Sequence, residues 1–111
     1  MINLNKMWKS IGITSRCKRS IKEVEFKNIN LNEYIIIDVR SRREFGEHHL
    51  KGAINIPLFD IKRNANKYIK DKTKKILVCC EYGIRSKKAA EYLEDIGYIN
   101  VYNLKNGLEN I

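Results

Sequence analysis

No stretch of the sequence approaches the roughly 20 consecutive apolar residues that a membrane-spanning helix needs, so a helical membrane protein is excluded and no membrane partner is expected. Residues 1–13 also lack the uninterrupted apolar core of a signal peptide, because Asn3, Asn5, Lys6 and Lys9 break it. A cytoplasmic location is the expectation. Cysteine is scarce: Cys17, Cys79 and Cys80 are the three in the chain. An odd count with two adjacent members cannot form a disulfide framework, and free thiols in a reducing compartment are the simplest reading. No Cys-x-x-Cys or His/Cys spacing suits zinc, and His48 and His49 are neighbours that point in different directions. No metal or other cofactor is therefore expected. Internal repeats and low-complexity stretches are missing, and proline occurs once, at Pro57.

What is present is a chain of 111 residues with 43% hydrophobic content, which is one small globular domain with a real core. The net charge of +9 comes from lysines spread from Lys6 to Lys105, not from a single stripe. Aromatic–basic interleaving of the kind used on single-stranded nucleic acid is absent, so nucleic acid is not the expected partner. Attraction to small anions is.

Two continuous β-branched runs, Tyr34 to Val39 and Lys75 to Cys80, have the character of strands buried on both faces of a parallel sheet. Shorter strand candidates are Ala53 to Ile56, stopped by Pro57, and Val101 to Leu104. Helical spacing joins Leu58, Ile61, Ala65, Tyr68 and Ile69, and again Ala89, Ala90, Leu93 and Ile96, the latter ending at Gly97 as C′ residue. Ser41-Arg42-Arg43-Glu44 is a capping box that predicts a short helix, and Ser20-Ile21-Lys22-Glu23 repeats the spacing and predicts another. Strands alternating with helices in so short a chain mean an α/β parallel sheet covered on both faces. In residues 1–19, Leu4, Met7, Trp8 and Ile11 share one helical face, which predicts an amphipathic, basic arm docked on a domain spanning 20–111.

The chemistry concentrates at "CCEYGIRS", residues 79–86. If Ile76 to Cys79 is a central strand and a helix begins at about Arg85 or Ser86, Cys80 to Ile84 is the turn at the carboxyl end of that strand. Open α/β sheets bind ligands in that crevice. Gly83 permits positive φ and close backbone approach. Successive N–H groups can form an anion nest there, and the helix start adds about half a positive charge. A cysteine so placed has its thiolate stabilised. Cys80 heads the turn, whereas Cys79 belongs to the strand as a small buried hydrophobe, and alternation puts the two on opposite faces. Along the following helix the cations Arg85, Lys87 and Lys88 come first and Glu91, Glu94 and Asp95 last. That order opposes the helix dipole and suits an anion at the amino end. Arg85 is read as functional, and Lys87 and Lys88 are equally consistent with a solvated surface.

Cys80-Glu81-Tyr82-Gly83-Ile84-Arg85-Ser86 resembles the rhodanese active-site loop Cys-x-x-Gly-x-Arg-Ser, followed as in that family by Ala-Ala-x-x-Leu, here Ala89 to Leu93. Asp38-Val39-Arg40, Glu44-Phe45 and His49-Leu50-Lys51-Gly52-Ala53-Ile54-Asn55-Ile56-Pro57 resemble the family's second signature. The likeness covers about residues 20–108 and departs at His48, Lys51 and Asn106, where the family often has glycine, proline and glycine. It implies a three-layer fold with a central parallel sheet of about five strands and helices on both faces. It also implies a sulfurtransferase. The Cys80 thiolate would take the outer sulfur of thiosulfate or a persulfide donor as a Cys80 persulfide and pass it to cyanide, a thiol or a protein acceptor. The backbone N–H groups of Glu81, Tyr82, Gly83, Ile84, Arg85 and Ser86 would stabilise the anion and Arg85 would hold the donor's oxyanion, with Arg40 and Lys87 as secondary candidates. Asp38, Arg40 and Glu44 read mainly as structural, and His49 as a hydrogen-bonding residue.

The four residues between Cys80 and Arg85 make a shorter loop than the Cys-x5-Arg of related phosphatases, which disfavours a phosphatase or arsenate reductase on the same scaffold. Ile84-Arg85 departs from the Gly-Val-Thr ending of the mercaptopyruvate branch, which favours thiosulfate or a persulfide as donor. A persulfide carrier or sensor without fast turnover is the reading from another class, and the basic surface would suit an acidic partner protein.

Overall fold

The computed structural model describes residues 21–109 and 111. The amphipathic arm and Cys17 lie outside the described residues. Five strands, β1 (Lys22–Val24), β2 (Ile35–Asp38), β3 (Ile54–Asn55), β4 (Ile76–Cys79) and β5 (Val101–Leu104), form one sheet of order β1-β5-β4-β2-β3. Every pairing is parallel, and the register sets Asp38 beside Cys79 and Ile37 beside Ile54. The helices are α1 (Arg42–Glu47), α2 (Ile61–Tyr68) and α3 (Ile84–Asp95), with single 3-10 turns at Phe26–Asn28, Leu31–Glu33 and Leu58–Asp60. The expected α/β fold with a parallel sheet of about five strands is what forms.

Burial follows from the sequence pattern. All four residues of β4 are inaccessible, as a central parallel strand requires. In α3 the buried residues are Ser86, Ala89, Ala90 and Leu93, one stripe at helical spacing. The stripe packs with Ile61 and Ala65 of α2 on Ile37, Val39, Val78, Cys80 and Val101. The opposite face, Ile36, Leu77, Cys79 and Leu104, is closed by Leu50, Leu108 and the segment Ile29 to Tyr34 with its 3-10 turn. One covering layer is thus two α-helices and the other is thin.

Differences from expectation are local. Lys22 to Glu23 belongs to a strand and not to a helix: β1 pairs with β5 through Lys22↔Tyr102 and Val24↔Leu104, and Ser20 lies outside the described residues. The Ser-x-x-Glu spacing is overridden because the edge of β5 offers ladder hydrogen bonds that three helical residues cannot replace. The helix expected from Leu58 starts as a 3-10 turn and becomes α-helical at Ile61. Helix α3 begins at Ile84, one residue early, and Gly97 takes φ +103° just beyond it.

Two ties fix the 80–86 turn. The chain after β5 folds back on it, with Leu108 N donating to the Cys80 carbonyl at 2.9 Å and Glu109 N to the Glu81 carbonyl at 3.0 Å. Gly107 makes this approach possible: a Cβ there would stand 2.4 Å from the Glu81 carbonyl oxygen and 2.5 Å from that of Cys80. On the other side Glu44 of α1 receives Arg85 Nη1 at 2.9 Å and Nη2 at 3.1 Å. Glu44 also completes the capping box with Ser41. The hydrogen bond from Arg85, then that from the Ser41 backbone, hold the Glu44 carboxyl down at about 2.

Gly107→Ala is expected to cost more than about 2 kcal/mol in urea unfolding, since both the positive φ and two backbone atoms oppose it. Gly46→Ala, with open space at the Cβ position inside α1, is expected to add about 0.5–1 kcal/mol. For Glu44 the folded carboxyl lies below its ordinary value of 4.5, so its contribution is full above 4.5 and fades as pH falls toward about 2. With both partners partly exposed, screening limits the pair to about 1 kcal/mol. The stability gap between the native chain and Glu44→Gln, which keeps the cap, should close over that window.

Candidate active site

Parallel pairing brings the carboxyl ends of β2, β4 and β5 to one edge, and the residues after them build the site. Cys80 follows the central strand and faces α3, while Cys79 faces the opposite core, as alternation requires. Both are free thiols. Burial, and then the nearby Asp38 charge, pushes the Cys79 thiol far above its ordinary range, so Cys79 stays protonated and unreactive.

The Cys80 sulfur has a different environment. Gly83, at φ +92° as N-cap of α3, donates its N–H to Sγ at 3.1 Å, and Ser86 N donates at 3.3 Å. Ser86 Oγ lies 3.3 Å from the same sulfur. Amides at a helix start, unmatched within the helix, thus converge on one sulfur. Of the inward N–H groups expected over Glu81 to Ser86, those of Gly83 and Ser86 reach the sulfur, and the Cys80 and Glu81 carbonyls are taken by Leu108 N and Glu109 N. Cys80 is itself 1% exposed, so the sulfur lies at the floor of the turn.

The other site residues sort by partner. Arg85 is half-exposed and held by Glu44 through two of its five N–H donors. Arg40 is buried: it donates to both oxygens of Asp38, to the His48 carbonyl at 2.5 Å and to Glu81 at 3.4 Å. It shapes the turn by drawing the Glu81 side chain toward the sheet edge. Lys87 lines a cavity of about 280 Å³ beside the turn with Glu23, Tyr82, Gly83, Ile84 and Lys105. Lys88 pairs with Glu91 at 3.7 Å, a surface role. His49 donates Nδ1–H to the Phe45 carbonyl at 2.8 Å and stacks on the Phe45 ring, a structural place. On the far side of the turn an apolar cavity of about 270 Å³ is lined by Val39, Ser41, Pro57, Leu58, Phe59 and Arg85.

Sequence reasoning missed two residues. Asn103 on β5, 1% exposed, accepts the Ser86 hydroxyl at 2.5 Å and donates Nδ2 to Gly83 O and Glu23, both at 3.2 Å. Its only sequence signal was a polar residue inside an apolar strand. Glu44 was read as a cap alone, and its bond to Arg85 spans 41 positions.

A family model described as rhodanese-like domain matches residues 22–111. Thiosulfate sulfurtransferase PspE of Escherichia coli (strain K12) is 39% identical over 75 residues, 68% of this chain and 71% of that protein. The uncharacterized protein YqhL of Bacillus subtilis (strain 168) is 35% identical over 94 residues, 85% of this chain and 72% of its own length. A solved structure described as a rhodanese with anions from E. coli aligns at TM-score 0.65 and 37% identity, covering 70% of this chain and 91% of that one. A rhodanese-related protein from Thermoplasma volcanium aligns at TM-score 0.69 and 27% identity, over 78% and 85% of the two chains. With the family model over residues 22–111 and relatives 35% and 39% identical across most of its length, the chain belongs to the rhodanese-like domain family.

Proposed function

We propose that this protein moves sulfane sulfur from thiosulfate or a persulfide donor to a thiophilic acceptor through a persulfide on Cys80. The observation that carries the reading is the Cys80 sulfur at the floor of the turn, with the Gly83 and Ser86 N–H groups aimed at it. The Cys80 thiolate attacks the outer sulfur of thiosulfate, a new S–S bond forms, and the old one breaks with its electron pair leaving as sulfite. The terminal persulfide sulfur is then attacked by cyanide, a thiol or a protein nucleophile, and the Cys80 thiolate is returned. Backbone donors serve both steps because negative charge stays at one place. Arg85 neutralises the oxyanion end of the donor, and the four-residue spacing from Cys80 suits sulfur better than phosphate. A cytoplasmic setting would keep the thiol reduced.

A protein acceptor is favoured by the rim of the site. Tyr82 (60%), Ile84 (77%) and Phe59 (88%) are large apolar side chains left exposed around a reacting sulfur. The chain's charge of +9 favours an acidic partner, either in turnover or as the recipient of a carried persulfide.

Incubation with thiosulfate should add one sulfur atom by mass spectrometry in the native chain, in Cys79→Ala and in Cys17→Ala, and none in Cys80→Ala. Uptake by Cys80→Ala would overturn the assignment. Parallel incubations with mercaptopyruvate, glutathione persulfide and an aryl phosphate separate the donors from the phosphatase alternative, for which no turnover is expected.

A further inference from the structure

Two cavities flank the turn that carries Cys80, and their linings differ in kind. Ser86 is buried and faces the sheet, so Arg85 and Lys87, each about 100° from it around α3, project to opposite sides of that helix. Arg85 lines the apolar cavity of about 270 Å³ together with Val39, Pro57, Leu58 and Phe59. Lys87 lines the cavity of about 280 Å³ together with Tyr82, Gly83 and Lys105. Each cavity has one wall residue beside the sulfur. Val39 donates its N–H to the Cys79 carbonyl at 3.0 Å, just past the Asp38↔Cys79 pair, and so stands next to Cys80 in register. Gly83 donates its own N–H to Sγ at 3.1 Å.

In the first cavity the polar groups are already engaged. The Ser41 hydroxyl accepts from Glu44 N at 3.2 Å, and Arg85 is forked onto the Glu44 carboxylate. What stays uncovered is hydrocarbon, with Phe59 88% exposed. A cavity of about 150 Å³ takes a benzene ring, so this one has room for a large apolar side chain. The second cavity sets two ammonium groups, Lys87 and Lys105, against the carboxylate of Glu23. Glu23 already receives Asn103 Nδ2 at 3.2 Å, and Lys105 is shared only loosely with Glu25 at 3.9 Å. The balance is positive, as it is for the whole chain at +9.

We propose that the two cavities are subsites for one extended segment of an acceptor protein, which sets an apolar side chain in the first, its cysteine over Cys80 and an Asp or Glu in the second. The inference deepens the sulfur-transfer reading and rests on Cys80 being the reacting sulfur. Extended backbone points residues i−2, i and i+2 to one side and rises about 3.3 Å per residue, so the outer two stand about 13 Å apart. The first turn of α3 lies between the cavities, and a helix with its side chains is about 10–12 Å across. Thiosulfate and cyanide have no part that fills an apolar cavity, and neither needs a second cationic site one helix width from the first. A peptide segment uses both.

The test titrates short acetylated peptides into the full native chain, labelled with nitrogen-15, and follows its amide shifts. The peptides read Leu-x-Ser-x-Glu or the reverse order, with serine in place of the acceptor cysteine so that binding is read without sulfur transfer. One of the two orders should shift Leu58 and Phe59 together with Lys87 and Lys105. Replacing its glutamate by glutamine should weaken binding about fivefold at low salt. That difference should close in about 1 M salt, where screening acts within about 3 Å, and in the Lys87→Ala, Lys105→Ala chain. Replacing the leucine by alanine should weaken binding about tenfold, and Phe59→Ser should shrink that preference. Lys87, Lys105 and Phe59 are exposed, so these variants keep the fold. Equal affinity for the glutamate and glutamine peptides at low salt, or shifts confined to one cavity, overturns the proposal. So does glutathione binding as tightly as the better peptide, which would make the basic cavity a site for small anions. Thiosulfate labelling of Cys80 without the peptide preference removes the subsites and leaves sulfur transfer standing. The preference without labelling removes sulfur transfer and leaves the docking surface.

Discussion

The Arg40 guanidinium, 1% exposed, gives hydrogen bonds to the Asp38 carboxylate, the His48 carbonyl and the Glu81 carboxylate. A cation stripped of water is tolerated only where its donors find acceptors, and removing one partner of such a pair costs about 3–5 kcal/mol. The end of β2, the segment after α1 and the first residue after Cys80 must therefore meet around one plane of N–H groups. An apolar trio of equal volume would pack as well. What it could not do is specify the direction of Glu81 and, through it, the start of the turn. Asn55 adds to the same point by donating to the carbonyls of Asp38 and Arg40, both at 3.0 Å.

From that anchor the turn has one acceptable conformation. The Cys80 and Glu81 carbonyls are taken by Leu108 and Glu109, the Gly83 and Ser86 amides converge on the Cys80 sulfur, and Gly107 lets two backbone segments pass at a distance no side chain permits. The same construction explains why adjacent cysteines differ so much. Cys79 points into the thin layer under Leu50 and Leu108, where the loss of water from a thiolate outweighs the one favourable charge, that of Arg40. Cys80 points toward α3, whose first turn has amides to spare.

Much of the fold could be read from composition and period. The runs at β2 and β4 are continuous and β-branched, and the α3 stripe repeats cleanly enough to carry Ser86 into the core with Ala89, Ala90 and Leu93. The family's glycine at position 106 is replaced by asparagine, which takes φ 64°, a left-handed conformation it tolerates better than other residues. The strand β1 was illegible because three residues carry too little pattern, and a capping spacing competed with it. The partners of Arg85 and Ser86 were hidden for another reason. Glu44 lies 41 positions from Arg85 and Asn103 lies 17 from Ser86, and each pair meets only once the parallel strands are in register.

Sequence by itself determined the layered α/β architecture, the turn after the central strand and which of two neighbouring sulfurs heads it, because these depend on local period and on glycine and helix-start chemistry. Tertiary structure decided where each donor is spent: Arg85 on Glu44, Arg40 on Asp38 and Glu81, and the Ser86 hydroxyl on Asn103. A hydrogen bond is a contest between acceptors within about 3 Å, and only the packed chain says which acceptors are within reach.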